Sequence, residues 1–114
     1  MAQPQEPFKR IGVDEAKRLI DEGVRVVDVR EQDEWNSGHI PQATHLPLPQ
    51  IVNNPEKSLG EGDREQPVVF VCAAGQRSAV ASEVAAMLGY KDIYNLEGGT
   101  TAWIKSGNPV NTGA

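Results

Sequence analysis

Short apolar runs alternate with amphipathic stretches along this chain, and each change of period marks a predicted element. Phe8 to Ile11 reads as a short strand. Gly12 stands at a helix N-cap with Glu15 three residues on, and Val13, Ala16, Leu19 and Ile20 share one face until Gly23 ends the helix. Val24 to Val29 is β-branched and mostly apolar, which predicts a buried strand interrupted by one acid, Asp28. A short helix is expected over Gln32 to Asn36, then a turn at Gly38-His39-Ile40-Pro41, because proline disfavours the helical region for the residue before it. Ala43 to Leu46 is a further candidate strand and Ile51-Val52 a single helical turn, while the polar stretch Asn53 to Gln66 is expected to be a surface loop. Pro67 to Val71 is an apolar run. After it, Val80, Val84, Met87 and Leu88 recur three and four apart with alanines between them, predicting a helix that packs by this face and ends at Gly89. Ile93 to Leu96 is the last strand, and Ala102, Trp103 and Ile104 follow Gly98-Gly99 on a last helix.

Strands that alternate with helices imply an α/β domain, a mostly parallel sheet with helices on both faces. At 114 residues the chain makes one domain, long enough to bury roughly two thirds of its unfolded surface. Residues 1–7 and 109–114, rich in proline, glycine and polar groups, are expected to be loose ends around a domain at 8–108. Eleven basic residues against sixteen acidic ones give a net charge of −5 with no basic run, which argues against nucleic acid and anionic membrane as partners. The opening segment lacks the charged and apolar parts of a secretion signal, so the expected location is cytoplasmic, where a single cysteine stays reduced.

That cysteine, Cys72, ends the apolar run and opens the loop Cys72-Ala73-Ala74-Gly75-Gln76-Arg77-Ser78. A cysteine in such a run also reads as a small buried apolar residue. The loop favours chemistry, because backbone amides at a helix start and the cation of Arg77 stabilise an anion, and glycine lets the chain curl around it. In open parallel sheets ligands gather outside the carboxyl ends of the strands, where Cys72 and Asp28 both stand.

Three segments resemble the rhodanese family, the thiosulfate:cyanide sulfurtransferases, and its single-domain members in particular. Val26-Val27-Asp28-Val29-Arg30 with Glu34-Trp35 and Gly38-His39-Ile40-Pro41-Gln42-Ala43 is similar to the family's amino-terminal signature. The cysteine loop is similar to its active loop, and Leu96-Glu97-Gly98-Gly99 with Ala102-Trp103 to its carboxy-terminal signature. The resemblance covers about residues 8 to 108 and implies a small three-layer domain with a central parallel five-stranded sheet. It also implies sulfur transfer in two displacements, with a persulfide on Cys72 between a donor such as thiosulfate and an acceptor such as cyanide, a thiol or a sulfur-accepting protein. Neither a metal nor an organic cofactor is implied. Gln42 stands where the family usually has glycine, and Ala73 where thiosulfate-using members often carry a basic or polar residue.

Within that resemblance Arg77 has two possible roles, anchoring the loop or holding the donor's charge, and anchoring is the first expectation. Asp28 is costly inside an apolar strand unless paired, so a supporting role with Arg30 is expected. His39 and His45, six residues apart with no second sulfur ligand, fit no common zinc spacing, and Trp35 and Trp103 read as core residues. Cysteine-dependent phosphatases and arsenate reductases are the rival enzyme class, but they place five residues between cysteine and arginine where this chain has four. A persulfide carrier or partner-binding domain is the other alternative.

Overall fold

A computed structural model of the chain describes residues 6–60 and 62–113. Five strands, β1 (Lys9–Ile11), β2 (Arg25–Asp28), β3 (Thr44–His45), β4 (Val68–Val71) and β5 (Ile93–Leu96), form one sheet in the order β1-β5-β4-β2-β3. Every neighbouring pair is parallel. The central strand β4 is apolar throughout, and alternation sends its side chains to two separate cores. Val68 and Phe70 pack with Val27, Ala81, Ala85, Ile51 and Leu59, beneath helices α3 (Leu48–Asn53), α4 (Pro55–Leu59) and α5 (Gln76–Met87). Val69 and Val71 pack with Val26, Ala16, Leu19, Ile20 and Trp103, beneath α1 (Val13–Asp21) and α6 (Gly99–Lys105). A short helix α2 (Gln32–Ser37) lies at the carboxyl edge. The α/β class, the five parallel strands and the three layers are as expected from the alternation and the resemblance. Among the described residues no helix is long and apolar enough to cross a membrane.

Three expectations are corrected. The polar stretch after Asn53 is not all loop: Pro55 begins the helix α4, where a missing N–H costs nothing, and Leu59 anchors it with 1 % exposure. One buried residue in five leaves no period to read. The single turn at Ile51-Val52 is likewise a six-residue helix, α3, with Ile51 buried and Val52 exposed.

The second correction concerns α5, whose existence and end at Gly89 were legible and whose buried face was not. Ser78, Ala81, Ser82 and Ala85 face the sheet, whereas Val80 is 44 % and Met87 79 % exposed. Small side chains let the helix axis approach the strands, so the large residues are displaced to the rim, and Val84 and Leu88 are only partly buried against the core. Position on the helix, not hydrophobicity, decides which residues are buried here.

The third concerns the carboxy-terminal segment expected to be loose. His39 and Asn111 exchange both backbone hydrogen bonds at 2.9 Å, Gly113 N–H donates to the Asn36 carbonyl, and Trp103 Nε1 donates to the Pro109 carbonyl. Residues 1–5 of the amino-terminal segment lie outside the described residues. Trp103 itself is a core residue as expected, 2 % exposed.

The tight approach of α5 generates a prediction. Ala85→Leu should destabilise by about 1 to 3 kcal/mol through overpacking, while Met87→Gln should stay within about 0.5 kcal/mol. Urea denaturation of the two variants checks this, and the reverse order would mean that the helix packs by its apolar side.

Candidate active site

Cys72 follows the last residue of β4, the middle strand of the five, and its chain turns at once into the loop that starts α5. Gly75, at φ +106°, is the N-cap of α5 and brings its own amide back onto the sulfur, Gly75 N–H to Cys72 Sγ being 3.0 Å. Ser78 Oγ lies 3.3 Å from the same sulfur. Burial raises the thiol pKa and is the largest single influence. The Ser78 hydroxyl and the amides of Ser78, Gly75 and Ala74 together outweigh it, so the thiol stands below its ordinary value. Cys72 is 1 % exposed.

Three carbonyls of the loop are tied away from the sulfur. Thr100 donates to the Cys72 carbonyl from its amide at 2.8 Å and its hydroxyl at 3.2 Å, and the Thr101 amide donates to the Ala73 carbonyl at 3.2 Å. The Asn95 side chain donates to the Gly75 carbonyl at 3.0 Å. The first turn of α6 thus grips the cysteine loop. Gly99 permits the grip, since a Cβ there would collide with the carbonyls of Cys72 and Ala73.

Arg77 is paired, not free. Its guanidinium donates to both carboxylate oxygens of Glu34 on α2, at 2.7 and 2.8 Å, a bidentate pair that joins α2 to the start of α5. The Arg77 side chain is held at a pKa above its already high ordinary value, chiefly by Glu34, and the Glu34 carboxyl is lowered to about 2, chiefly by Arg77. Ala73 is half-buried, and Ala74 and Gln76 are exposed, their side chains making no named hydrogen bond or ion pair.

Asp28 and Arg30 pair as expected. The Arg30 Nε and Nη2 atoms donate to the Asp28 carboxylate at 2.9 to 3.1 Å, and both side chains are buried. Asp28 is in register with Val71, so it shares the carboxyl edge with Cys72 but points to the opposite face of the sheet. Its support of the loop is therefore indirect. Arg30 Nη2 donates to the Gly38 carbonyl at 2.7 Å, fixing the end of α2, and α2 carries the Glu34 that holds Arg77. His39 and His45 both stack on Trp35, with ring centroids 3.5 and 4.8 Å away, and each ring donates to a backbone carbonyl, of Trp35 and Arg30 respectively. Trp35 and His39 are buried in this stack and His45 is half-buried.

The sequence reading left Glu34, Asn95, Gly99, Thr100 and Thr101 without roles. Asn95 carried a usable signal, a polar residue inside an apolar strand, the same one that singled out Asp28. Thr100 and Thr101 act mainly through backbone amides, which leave no trace in residue type.

A family model described as Rhodanese-like domain matches residues 12–106. The chain is 34 % identical over 96 residues to the thiosulfate sulfurtransferase GlpE of Pseudomonas syringae pv. syringae (strain B728a), which covers 84 % of this chain and 87 % of that one. Among solved structures, a rhodanese-like domain protein from Staphylococcus aureus is similar at 34 % identity and a TM-score of 0.77, over 94 % of this chain and 100 % of that one. The polysulfide-sulfur transferase homodimer from Wolinella succinogenes is similar at 29 % identity and a TM-score of 0.77, over 93 % and 80 % of the two chains. With sheet order, cysteine loop and both kinds of likeness in agreement, the chain belongs to the rhodanese-like domain family.

Proposed function

We propose that this protein is a sulfurtransferase that carries sulfane sulfur as a persulfide on Cys72. The observation that carries the reading is the sulfur of Cys72 seated against inward-facing amides and the Ser78 hydroxyl, where an anion is favoured despite burial. The thiolate attacks the outer sulfur of a donor such as thiosulfate. A new S–S bond forms, the donor's S–S bond breaks, and sulfite leaves with its electron pair. A nucleophile, cyanide or a thiolate, then attacks the outer sulfur of the persulfide and displaces the Cys72 thiolate, so no net oxidant or reductant is consumed. The loop amides are placed to stabilise the anionic sulfur in both steps, in the manner of an oxyanion hole. Similarity to proteins named thiosulfate sulfurtransferases supports this donor class.

The phosphatase reading is weaker on geometry. Four residues separate Cys72 from Arg77, and the guanidinium that would bind a tetrahedral oxyanion is already spent on Glu34.

Incubation with thiosulfate should add the mass of one sulfur atom to the intact protein, cyanide should remove it, and Cys72→Ser should show neither change. An alcohol there is neither ionised near neutrality nor able to hold sulfane sulfur. The rate of sulfur loading should climb with pH through a thiol pKa lying below that of an ordinary cysteine. A Cys72→Ser protein that still made thiocyanate at the wild-type rate would end the proposal.

Glu34→Gln should lower kcat/KM about tenfold by freeing Arg77 and loosening the loop, with a stability loss of no more than about 1 kcal/mol for a partly exposed pair. The carboxyl of Glu34 is depressed on folding to about 2, so the pair's contribution is complete above ~4.3, the unfolded value, and is lost as pH falls through about 2. The stability gap between wild type and Glu34→Gln should therefore close across that acid window in pH-dependent denaturation curves.

Gly99→Ala should cost more than 2 kcal/mol in stability, on the order of a strained and overpacked site, and reduce sulfur loading with it. Thermal melts and the mass assay measure both, and a neutral outcome would show that α6 does not hold the loop.

A further inference from the structure

Asn95 lies in β5, 0 % exposed, and contacts the cysteine loop at two points. Its orientation follows from chemistry. The Gly75 carbonyl can only accept, so the atom 3.0 Å from it is the donor Nδ2, and Oδ1 faces Ser78. Ser78 Oγ has one proton and two acceptors in reach, Asn95 Oδ1 in a short hydrogen bond and Cys72 Sγ at 3.3 Å. Ser78 is itself fully buried, so water does not supply an alternative partner.

While Cys72 is a thiol, one direction satisfies all three groups: the S–H donates to Ser78 Oγ, and Ser78 O–H donates to Asn95 Oδ1. Once the thiol has given its proton to solvent the sulfur becomes an acceptor, and Ser78 donates to it only by leaving Asn95. We propose that Asn95 is a positioning residue for Cys72, its amide holding the Gly75 carbonyl outward and its carbonyl competing with the sulfur for the single Ser78 proton. The inner sulfur of a persulfide is neutral and a poorer acceptor than a thiolate, so the Ser78 proton then returns to Asn95. The inference rests on Cys72 as the sulfur-carrying nucleophile, but its test reads the thiol directly.

The test is a double-mutant cycle on the ionisation of Cys72, the chain's one cysteine, followed by ultraviolet absorbance of the thiolate against pH below the range where its two tyrosines ionise. Ser78→Ala should lower the thiolate-to-thiol ratio about three- to tenfold, the worth of one hydrogen bond to the anion. In the Ser78→Ala background, Asn95→Leu should lower it further, because only the Gly75 carbonyl is released. In the wild-type background the same substitution also frees the Ser78 proton, so its effect should be at least threefold more favourable to the thiolate. The charged groups around the loop, Arg77 with Glu34 and Glu31 on the α2 side and Glu97 beside Gly75, are unchanged in every arm.

Equal effects of Asn95→Leu in both backgrounds would overturn the competition for the proton, and no effect in Ser78→Ala would overturn the hold on Gly75. Asn95→Ala, which leaves a void rather than an overpacked site, carries the same two criteria where circular dichroism shows Asn95→Leu unfolded. Should wild-type protein fail to take up sulfur, the functional reading falls while the cycle remains decisive for Asn95.

Discussion

The constraint on which the site depends is the outward tethering of three carbonyls, those of Cys72, Ala73 and Gly75. A peptide unit is planar, so the tether from Thr101 to the Ala73 carbonyl turns the Ala74 amide the other way, toward the sulfur, while the tethers from Thr100 and Asn95 fix the loop on either side of it. Among the described residues the hydrogen bonds to Sγ come from an amide and a hydroxyl, and the charge of Arg77 acts on it only through space. What favours the anion is a set of fixed dipoles held in a water-poor pocket, where they are worth more than in solvent and need no reorganisation when charge appears.

Two ion pairs set the position of the neighbouring helix α2, and they differ in kind. Asp28 and Arg30 are buried and joined by several hydrogen bonds, so removing either one leaves an unpaired charge away from water. Their value is in fixing where α2 ends. Glu34 and Arg77 are about one third exposed, contribute less to stability, and transmit that position to the loop. The chain thus runs from β2 through the Gly38 carbonyl and α2 to Arg77, with no direct contact between Asp28 and the cysteine loop among the named hydrogen bonds.

How much of this was legible follows from how each contact is made. Elements built on long periods or continuous apolar runs, such as α1 and β4, were visible because burial on one or two faces demands those patterns. The face of α5 was misread because the sheet accepts Ser78, Ala81, Ser82 and Ala85 for their small size, a packing criterion that hydrophobicity does not report. The helix α4 was missed because it hangs on Leu59 alone, and the anchored tail because Asn111 and Gly113 hold it by backbone groups common to every residue. In the site, the cysteine, arginine and buried acid were legible by type and place. The pairing of Arg77 with Glu34 joins residues 43 apart, and only the fold brings them together.

The small face of α5 ties stability to chemistry. Ser78 is at once a packing residue in that face and the hydroxyl 3.3 Å from the sulfur, and Ser82 donates to its carbonyl at 2.8 Å one turn later. A larger stripe of side chains would have lifted the helix off β4 and β5 and carried Ser78 away from both Cys72 and Asn95. The alanines that make α5 look featureless are therefore what lets a helix hydroxyl, a strand amide and a loop sulfur meet. Burying Asn95 and Ser78 without their partners would cost about 1 to 3 kcal/mol each. The same close approach that positions the sulfur supplies those partners.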